Sequence, residues 1–351
     1  MNTVPIDIPP PEMFAKYEEL INQALHIMIP FKNHKDIFDI HSYHVGISNS
    51  DGTLVGSDQY MGKCLRSTLC VFICEALGGN VDNSMQAAVA LELIHNFSLI
   101  HDDIQDGDGE RRHRPTVWSI WGVPKALVSG NALHTVGDMS VFKSNIYDVP
   151  EKMQIKLSNL LTEAYMKMIV GQCQDLEFEN KTDITTDMYL GMIAGKTGAL
   201  IQNAILMGAL LGGKEYNTLQ AFEEFGFLIG QAFQIRDDFL GIWGEESKTG
   251  KPIGNDIIRK KKTFPVVYGF ENAHGARKSQ LLNIYNMKEL YDDDRTKVLQ
   301  VLEDVGAKEA TLDFIDEVSE RAMNIVNQLE MPTWASIELK KLVFFLANRD
   351  L

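Results

Sequence analysis

An all-α fold is predicted by three features of this 351-residue sequence. Apolar residues recur at spacings of three and four almost throughout, strict alternation over five or more residues is rare, and glycine pairs and prolines punctuate the periodic stretches. With 45% hydrophobic and 23% charged residues the chain can bury a core, which argues against a disordered or fibrous protein.

Taken in order, helices are expected at about 11–29, 65–78, 83–105, 124–146, 151–178, 185–212, 216–243, 277–304 and 306–347. Gly78-Gly79-Asn80 stops the second, Pro150 precedes the start of the fifth at Glu151, and Gly212-Gly213 closes the sixth. Three stretches break the pattern, 46–61, 107–116 and 244–264; all are polar, glycine-bearing and partly basic. Each is too short for an interdomain linker, and helical periodicity resumes at once beyond it. Residues 1–35 therefore read as an N-terminal extension and helix, and 36–351 as one domain. No fixed-period repeat suggests a solenoid.

Thirty-three Lys plus Arg against forty-eight Asp plus Glu leave a formal charge of −15, which opposes binding to nucleic acid or anionic lipid. No apolar run approaches the roughly 20 residues of a transmembrane helix. The N-terminus has neither a basic nor an apolar signal region, so a cytoplasmic protein is expected. Cys64, Cys70, Cys74 and Cys173 form no CxxC pair and read as reduced thiols.

Two acidic clusters carry the chemistry. In LELIHNFSLIHDDIQD, His95, Asp102 and Asp106 share one helical face, with Asp103 beside them; in GQAFQIRDDFLG, Gln231, Gln234 and Asp238 line a face, with Asp237 adjoining. Two carboxylates 4 Å apart repel by about 4 kcal/mol at an effective dielectric of 20, so each cluster calls for a cation. Hard oxygen donors in small number suit Mg²⁺. Each cluster also precedes a basic stretch, Arg111-Arg112-His113-Arg114 or Lys251 with Arg259 to Lys262. Mg²⁺ held by a few carboxylates, with arginine nearby, matches a diphosphate.

HDDIQDGDGERRHRPT and QIRDDFLGIWGEESKTGKPIGND resemble the two aspartate-rich motifs of the trans-isoprenyl diphosphate synthases, the farnesyl and geranylgeranyl diphosphate synthase family. Upstream, GKCLRSTL resembles that family's GKxxR element, and GMIAGKTGAL supplies a matching Lys-Thr. The resemblance implies a single-domain bundle of about ten or more helices around a central cavity. It implies that Asp102, Asp103, Asp106, Asp237 and Asp238, with Asp256, hold Mg²⁺, about three ions when diphosphate is bound. Arg111, Lys196 and Lys251 then contact the allylic diphosphate; Lys63, Arg66, His95 and Arg112 bind that of isopentenyl diphosphate; Thr197 and Gln234 face the reacting carbons; and Lys261 closes the site.

The implied activity is head-to-tail prenyl transfer from an allylic diphosphate to isopentenyl diphosphate, by a homodimer. Phe97 and Ser98, five and four positions before Asp102, fit short products, and the uninserted DDIQD leans toward geranylgeranyl (C20) over farnesyl (C15) diphosphate. The chain departs from the family at Gly241, where many members carry a third Asp, and at Cys64 and Ser67, where Arg and Pro are common. A class I terpene cyclase would share one aspartate motif but needs no second diphosphate site. A non-catalytic subunit of a partner synthase needs no intact aspartates.

Overall fold

The computed structural model describes residues 8–29, 35–55, 64–142, 148–244 and 254–349; Lys63 and Lys251 lie outside them. Its helices are α1 (Glu12–Met28), α2 (Lys35–His44), α3 (Leu65–Ala76), α4 (Val81–Gln105), α5 (Val117–Trp121), α6 (Val123–Ser140), α7 (Glu151–Phe178), α8 (Thr186–Ile193), α9 (Ala199–Leu211), α10 (Gln220–Trp243), α11 (Asn255–Ile258), α12 (Phe264–Asn272), α13 (Gly275–Tyr285), α14 (Asp292–Asp304), α15 (Ala307–Gln328) and α16 (Thr333–Asn348). The fold is all-α, as predicted. One two-stranded ribbon, β1 (Glu110–Arg111) with β2 (Arg114–Pro115), interrupts it. Among the described residues no helix is long and apolar enough to cross a membrane.

Three expected helices are subdivided. The stretch 185–212 contains a wide turn at Ala194–Gly198 with i→i+5 bonding, a bulge that often marks a functional position. The stretch 277–304 breaks before Asp292, where the Asp294 carboxylate accepts the Tyr291 N–H at 3.2 Å and starts a new helix. The stretch 306–347 breaks at Leu329–Pro332, since proline cannot donate the backbone bond a continuous helix needs. Four helices lie outside the expected set: α5 and α11, of only five and four residues, and α2 and α12, whose periodicity burial erased. In α12 Phe264, Pro265, Val266, Val267, Gly269 and Phe270 are all buried, and in α2 the polar His41 and Ser42 face inward.

The backbone groups into two compact units. One is Glu12–Tyr165 with Asn203–Leu219; the other is Met166–Gln202 with Gln220–Leu351, plus Met1–Pro11. In the first, α4 packs on α3 and α6, with α1 against α3 and α4. Asn80 starts α4 by accepting the Asp82 N–H at 2.8 Å. Leu91, Leu93, Ile94 and Ile100 then bury it on several sides. Twenty-five residues carry its end about 37 Å from its start. Cys70 and Cys74 are buried free thiols in this unit, with burial raising the Cys74 pKa to about 11.

In the second unit α10 packs against α15, the wide turn, α16 and α12. One apolar cluster gathers Tyr189, Ile193, Ile235, Phe264 and Ile315. Another gathers Ile242, Val266, Phe270, Val298 and Leu302. Ala-scale truncation of such side chains costs roughly 2–5 kcal/mol each, so α10 is held rigidly where it carries its acids.

Candidate active site

In the first unit, Asp102 and Asp103 sit in the last turn of α4 and Asp106 is its C-cap. The last carbonyls of a helix are unpaired and form the negative end of its dipole, so three carboxylates there deepen a negative potential. Arg111 answers part of it, its Nε donating to Asp103 Oδ1 at 2.7 Å and its NH2 lying 3.5 Å from Asp102 Oδ2. Asp103 is buried, and its Oδ2 has no hydrogen-bond partner among the described residues. Burial pushes this carboxyl up to about 6 against the pull of Arg111. A buried, unsatisfied hard oxygen beside two further carboxylates fits a divalent cation of the Mg²⁺ type.

The ribbon aims the arginines. Glu110 pairs with Pro115 and Arg111 with Arg114, leaving Arg112 and His113 as a two-residue turn with φ of 52° and 59°. Such a turn needs left-handed backbone at both residues, ordinarily supplied by Asn-Gly; its absence hid the hairpin from the sequence pattern. The RRHR run therefore divides its work. Arg114 is structural, stacked 4.0 Å from the Tyr43 ring centre and donating to the Tyr43 and Ser48 carbonyls at 3.2 and 2.8 Å. Left-handed backbone costs a non-glycine residue about 1–2 kcal/mol. His113 is exposed, so His113→Gly is expected to raise stability by about 1 kcal/mol, read as a higher midpoint in denaturant titration. An unchanged or lower midpoint would show that the turn is not strained.

Arg66, His95 and Arg112 come together in this unit. Burial holds the His95 imidazole well below its ordinary range, and Arg66, Arg112 and Arg111 depress it further, so it is neutral. A cleft beside them is lined by Tyr43, His44, Asn96, Asp103, Arg111 and Arg112. His44 was not found in the sequence, since a lone histidine carries no motif. Burial and then Arg112 and Arg111 push it down to about 3.

Deeper along α4, Phe97 is buried and meets His101 and His134 edge-on, with ring centres 5.8 and 4.7 Å apart. His134 in turn meets Tyr165 at 4.7 Å. Ser98 spends its hydroxyl on the His95 carbonyl at 2.7 Å.

In the second unit, the wide turn carries Lys196 and Thr197. Gly171 on α7 allows the close approach, because a Cβ there would collide with the Lys196 backbone. Lys196 is met by Asp175 of α7, the anion that an ammonium in apolar surroundings requires. Asp175 carried no sequence signal; it is one acid among many until the fold brings it to Lys196. Thr197 donates to Gln234 Oε1 at 2.6 Å, and Gln234 Nε2 donates to Asp238 Oδ1 at 3.1 Å. Asp238 is buried, and its Oδ2 also accepts the Tyr189 hydroxyl and, at 2.9 Å, the Phe264 N–H. Burial raises its pKa to about 7 against those donors.

The adjacent Asp237 is half-exposed and pairs with Arg349. That arginine is buried over the Phe233 ring at 4.2 Å, and its carbonyl accepts Arg236 Nε at 2.8 Å. The departure at Gly241 has a steric explanation: a Cβ there would fall on Asp256 Oδ2. The Asp256 carboxylate occupies the space a side chain at 241 would take. Gly241→Ala is therefore expected to displace Asp256 and cost about 1–3 kcal/mol, measured by chemical denaturation. Full retention of stability would mean that Asp256 moves aside freely.

Lys261 N–H donates to the Asp256 carbonyl at 2.9 Å, tying the two positions together. Its neighbour Lys262 is buried and not a solvated member of a charge run: Nζ donates to the Glu179 carbonyl at 3.0 Å above the Tyr285 ring, and burial lowers its pKa to about 8. Among the described residues no three acidic, histidine or cysteine side chains are preassembled as a metal cage. Like-charge repulsion opposes such a cage in the absence of a cation, and Arg111 and Arg349 hold Asp103 and Asp237.

Residues 57–304 match the polyprenyl synthetase family. The geranylgeranyl diphosphate synthase of Mycobacterium tuberculosis is 40% identical over 244 residues, 69% of this chain and 67% of that protein. The (2E,6E)-farnesyl diphosphate synthase of Mycobacterium bovis is 35% identical over 315 residues, 88% of this chain and 85% of that one. Among solved structures, a polyprenyl synthetase from Streptomyces coelicolor A3(2) superposes with a TM-score of 0.86 at 29% identity, covering 95% of this chain and 98% of its own. A geranylgeranyl pyrophosphate synthetase from Pyrococcus horikoshii gives 0.85 at 31% identity, covering 96% and 98%. The chain belongs to the polyprenyl synthetase family and is a prenyltransferase.

Proposed function

We propose that this enzyme is a short-chain trans-prenyltransferase that joins isopentenyl diphosphate to an allylic diphosphate and releases a C15 or C20 product, geranylgeranyl diphosphate in the first instance. The observation that carries this reading is the pair of arginines Arg66 and Arg112 gathered about His95 in the same unit as the first acidic helix end, yet distinct from Arg111, which is engaged with Asp102 and Asp103. A class I cyclase, which ionises one diphosphate, has no use for a second set of phosphate-binding cations. The relatives named farnesyl and geranylgeranyl diphosphate synthases support the product range.

In one unit Asp102, Asp103 and Asp106 would hold Mg²⁺; in the other Asp237 would, with Asp256 supporting. When bound, the metal neutralises charge building on the leaving diphosphate. Arg111 and Lys196, with Lys251, bind and orient the allylic diphosphate, and Arg111 and Lys196 must each exchange an intramolecular carboxylate for substrate oxygens. Arg66, His95 and Arg112, with Lys63, bind the diphosphate of isopentenyl diphosphate. The oxygens of Thr197 and Gln234 face positive charge as the allylic C–O bond breaks and the isopentenyl double bond forms the new C–C bond. The proton lost in the last step leaves with the released diphosphate, so no side chain is needed as general base. Lys261 closes the site behind Asp256, and Phe97 with Ser98 limits chain growth. Two copies form the active assembly, and exposed apolar residues on and beside α6, Val128, Met139 and Phe142 among them, suit such an interface.

The test is incubation of the purified chain with Mg²⁺, labelled isopentenyl diphosphate and geranyl or farnesyl diphosphate. A labelled linear prenyl diphosphate is expected. A cyclised, unlabelled product, or metal-dependent turnover only when another synthase is added, overturns the reading.

A further inference from the structure

The structure assigns the two neighbouring acids of α10 different work: we propose that Asp238, anchored by Tyr189, is a positioning residue that sets which end of the Gln234 amide faces Thr197, and is not a metal ligand. This rests on the prenyl-transfer reading above and deepens it. Consecutive helical residues point about 100° apart, and here the divergence is complete. Asp237 is half-exposed and paired with Arg349, whereas Asp238 is buried with both oxygens already accepting hydrogen bonds from the protein.

The consequence lies in the amide. Gln234 has two ends of nearly equal shape and opposite polarity, and nothing in its own chemistry selects one. With Oδ2 taken up by the Tyr189 hydroxyl and the Phe264 N–H, Asp238 meets the amide with Oδ1 as acceptor, drawing the amide nitrogen toward itself at 3.1 Å and turning Oε1 the other way, where it accepts the Thr197 hydroxyl at 2.6 Å. Carbonyl and hydroxyl oxygens are thereby presented together on the wide turn beside Lys196. A negative dipole end preset at that place stabilises a carbocation without reorganisation, and a reversed amide would present N–H to it instead. Asp238 can do this because it is itself immobile. The Phe264 N–H belongs to the start of α12, and Tyr189 is a buried member of the apolar cluster that packs α8 and α12 against α10. Tyr189 was absent from every motif, yet its hydroxyl is the side-chain anchor of the chain Tyr189, Asp238, Gln234, Thr197.

The test combines turnover with a binding measurement that needs none. In Asp238→Asn the new amide can offer N–H to residue 234, reversing Gln234. The turnover number is expected to fall about 10²-fold, while KM for both diphosphates and the Mg²⁺-dependent affinity for inorganic pyrophosphate, read by titration calorimetry, stay within about twofold. The exchanged pair Gln234→Glu with Asp238→Asn restores an acceptor toward Thr197 and a donor between the two positions. It is expected to recover at least about tenfold of the lost rate. Tyr189→Phe, which removes one oxygen, should lower turnover about tenfold with the same unchanged pyrophosphate affinity, and it serves if Asp238→Asn folds poorly. The proposal is overturned if Asp238→Asn weakens Mg²⁺-pyrophosphate binding as much as Asp237→Asn does, if the exchanged pair is no faster than the single variant, or if Tyr189→Phe turns over like the parent. Should the parent make no prenyl product, the functional reading fails on its own, and calorimetry still decides whether Asp238 holds metal.

Discussion

Asp102→Asn and Asp237→Asn should each lower the rate of chain elongation about 10²–10³-fold, the usual result of removing one preorganised electrostatic contact from a developing anion. These two carboxylates are chosen because they combine charge with access. Asp103 and Asp238 are buried, while Asp102 is partly accessible and Asp237 half-exposed. Both substitutions preserve shape and remove one charge. Raising Mg²⁺ should recover part of the activity of each, since the loss is in metal affinity as well as in rate. Stability should change little for Asp102→Asn, whose ion pair with Arg111 is long at 3.5 Å while Arg111 stays hydrogen-bonded to Asp103. For Asp237→Asn it should fall by about 1–3 kcal/mol, because the buried Arg349 keeps an acceptor but loses the charge that balances it. Elongation at the parental rate by either variant would remove that carboxylate from the metal site, whatever its effect on stability.

Phe97→Ala should shift the product spectrum to longer chains, by one or more C5 units, as read by chromatography of the dephosphorylated alcohols. The side chain is buried one and a half turns below Asp102 on the same rigid helix, about 7.5 Å deeper, and rests on His134. Removing its ring opens space that ends at His134 and then Tyr165. Phe97→Ala with His134→Ala is therefore expected to lengthen products beyond the single variant. The single change should also cost about 3–5 kcal/mol of stability, the range for phenylalanine truncation in a core, so the assay belongs at reduced temperature. Unchanged product length in a folded Phe97→Ala enzyme would mean that the prenyl chain grows elsewhere.

Different residues of the site were legible in the sequence to different degrees. The aspartates were visible because their spacing on an apolar helix is a local property. Lys196 was visible for a related reason, as a charge in an apolar, glycine-rich segment that demands an anion. Its partner Asp175, the arginine at 349 and the hydroxyl of Tyr189 were invisible, since each lies more than twenty positions from its partner and none breaks its own local pattern. The hairpin at 110–115 escaped for the opposite reason. Its turn residues, Arg112 and His113, adopt a backbone that their side chains disfavour, so local chemistry pointed away from it.

By itself the sequence determined the helical class of this protein, the placing of two acidic helix ends and the family to which they belong, because periodicity, caps and short motifs are set within a few turns of chain. Tertiary structure alone decided how those residues divide their work. Arg111 neutralises acids while Arg114 buttresses Tyr43; Asp256 fills the space left by Gly241; Asp237 stays accessible while Asp238 is buried to orient an amide. Burial and hydrogen-bond partners brought from distant positions set the charge and orientation of a side chain, and neither is written in its immediate neighbours.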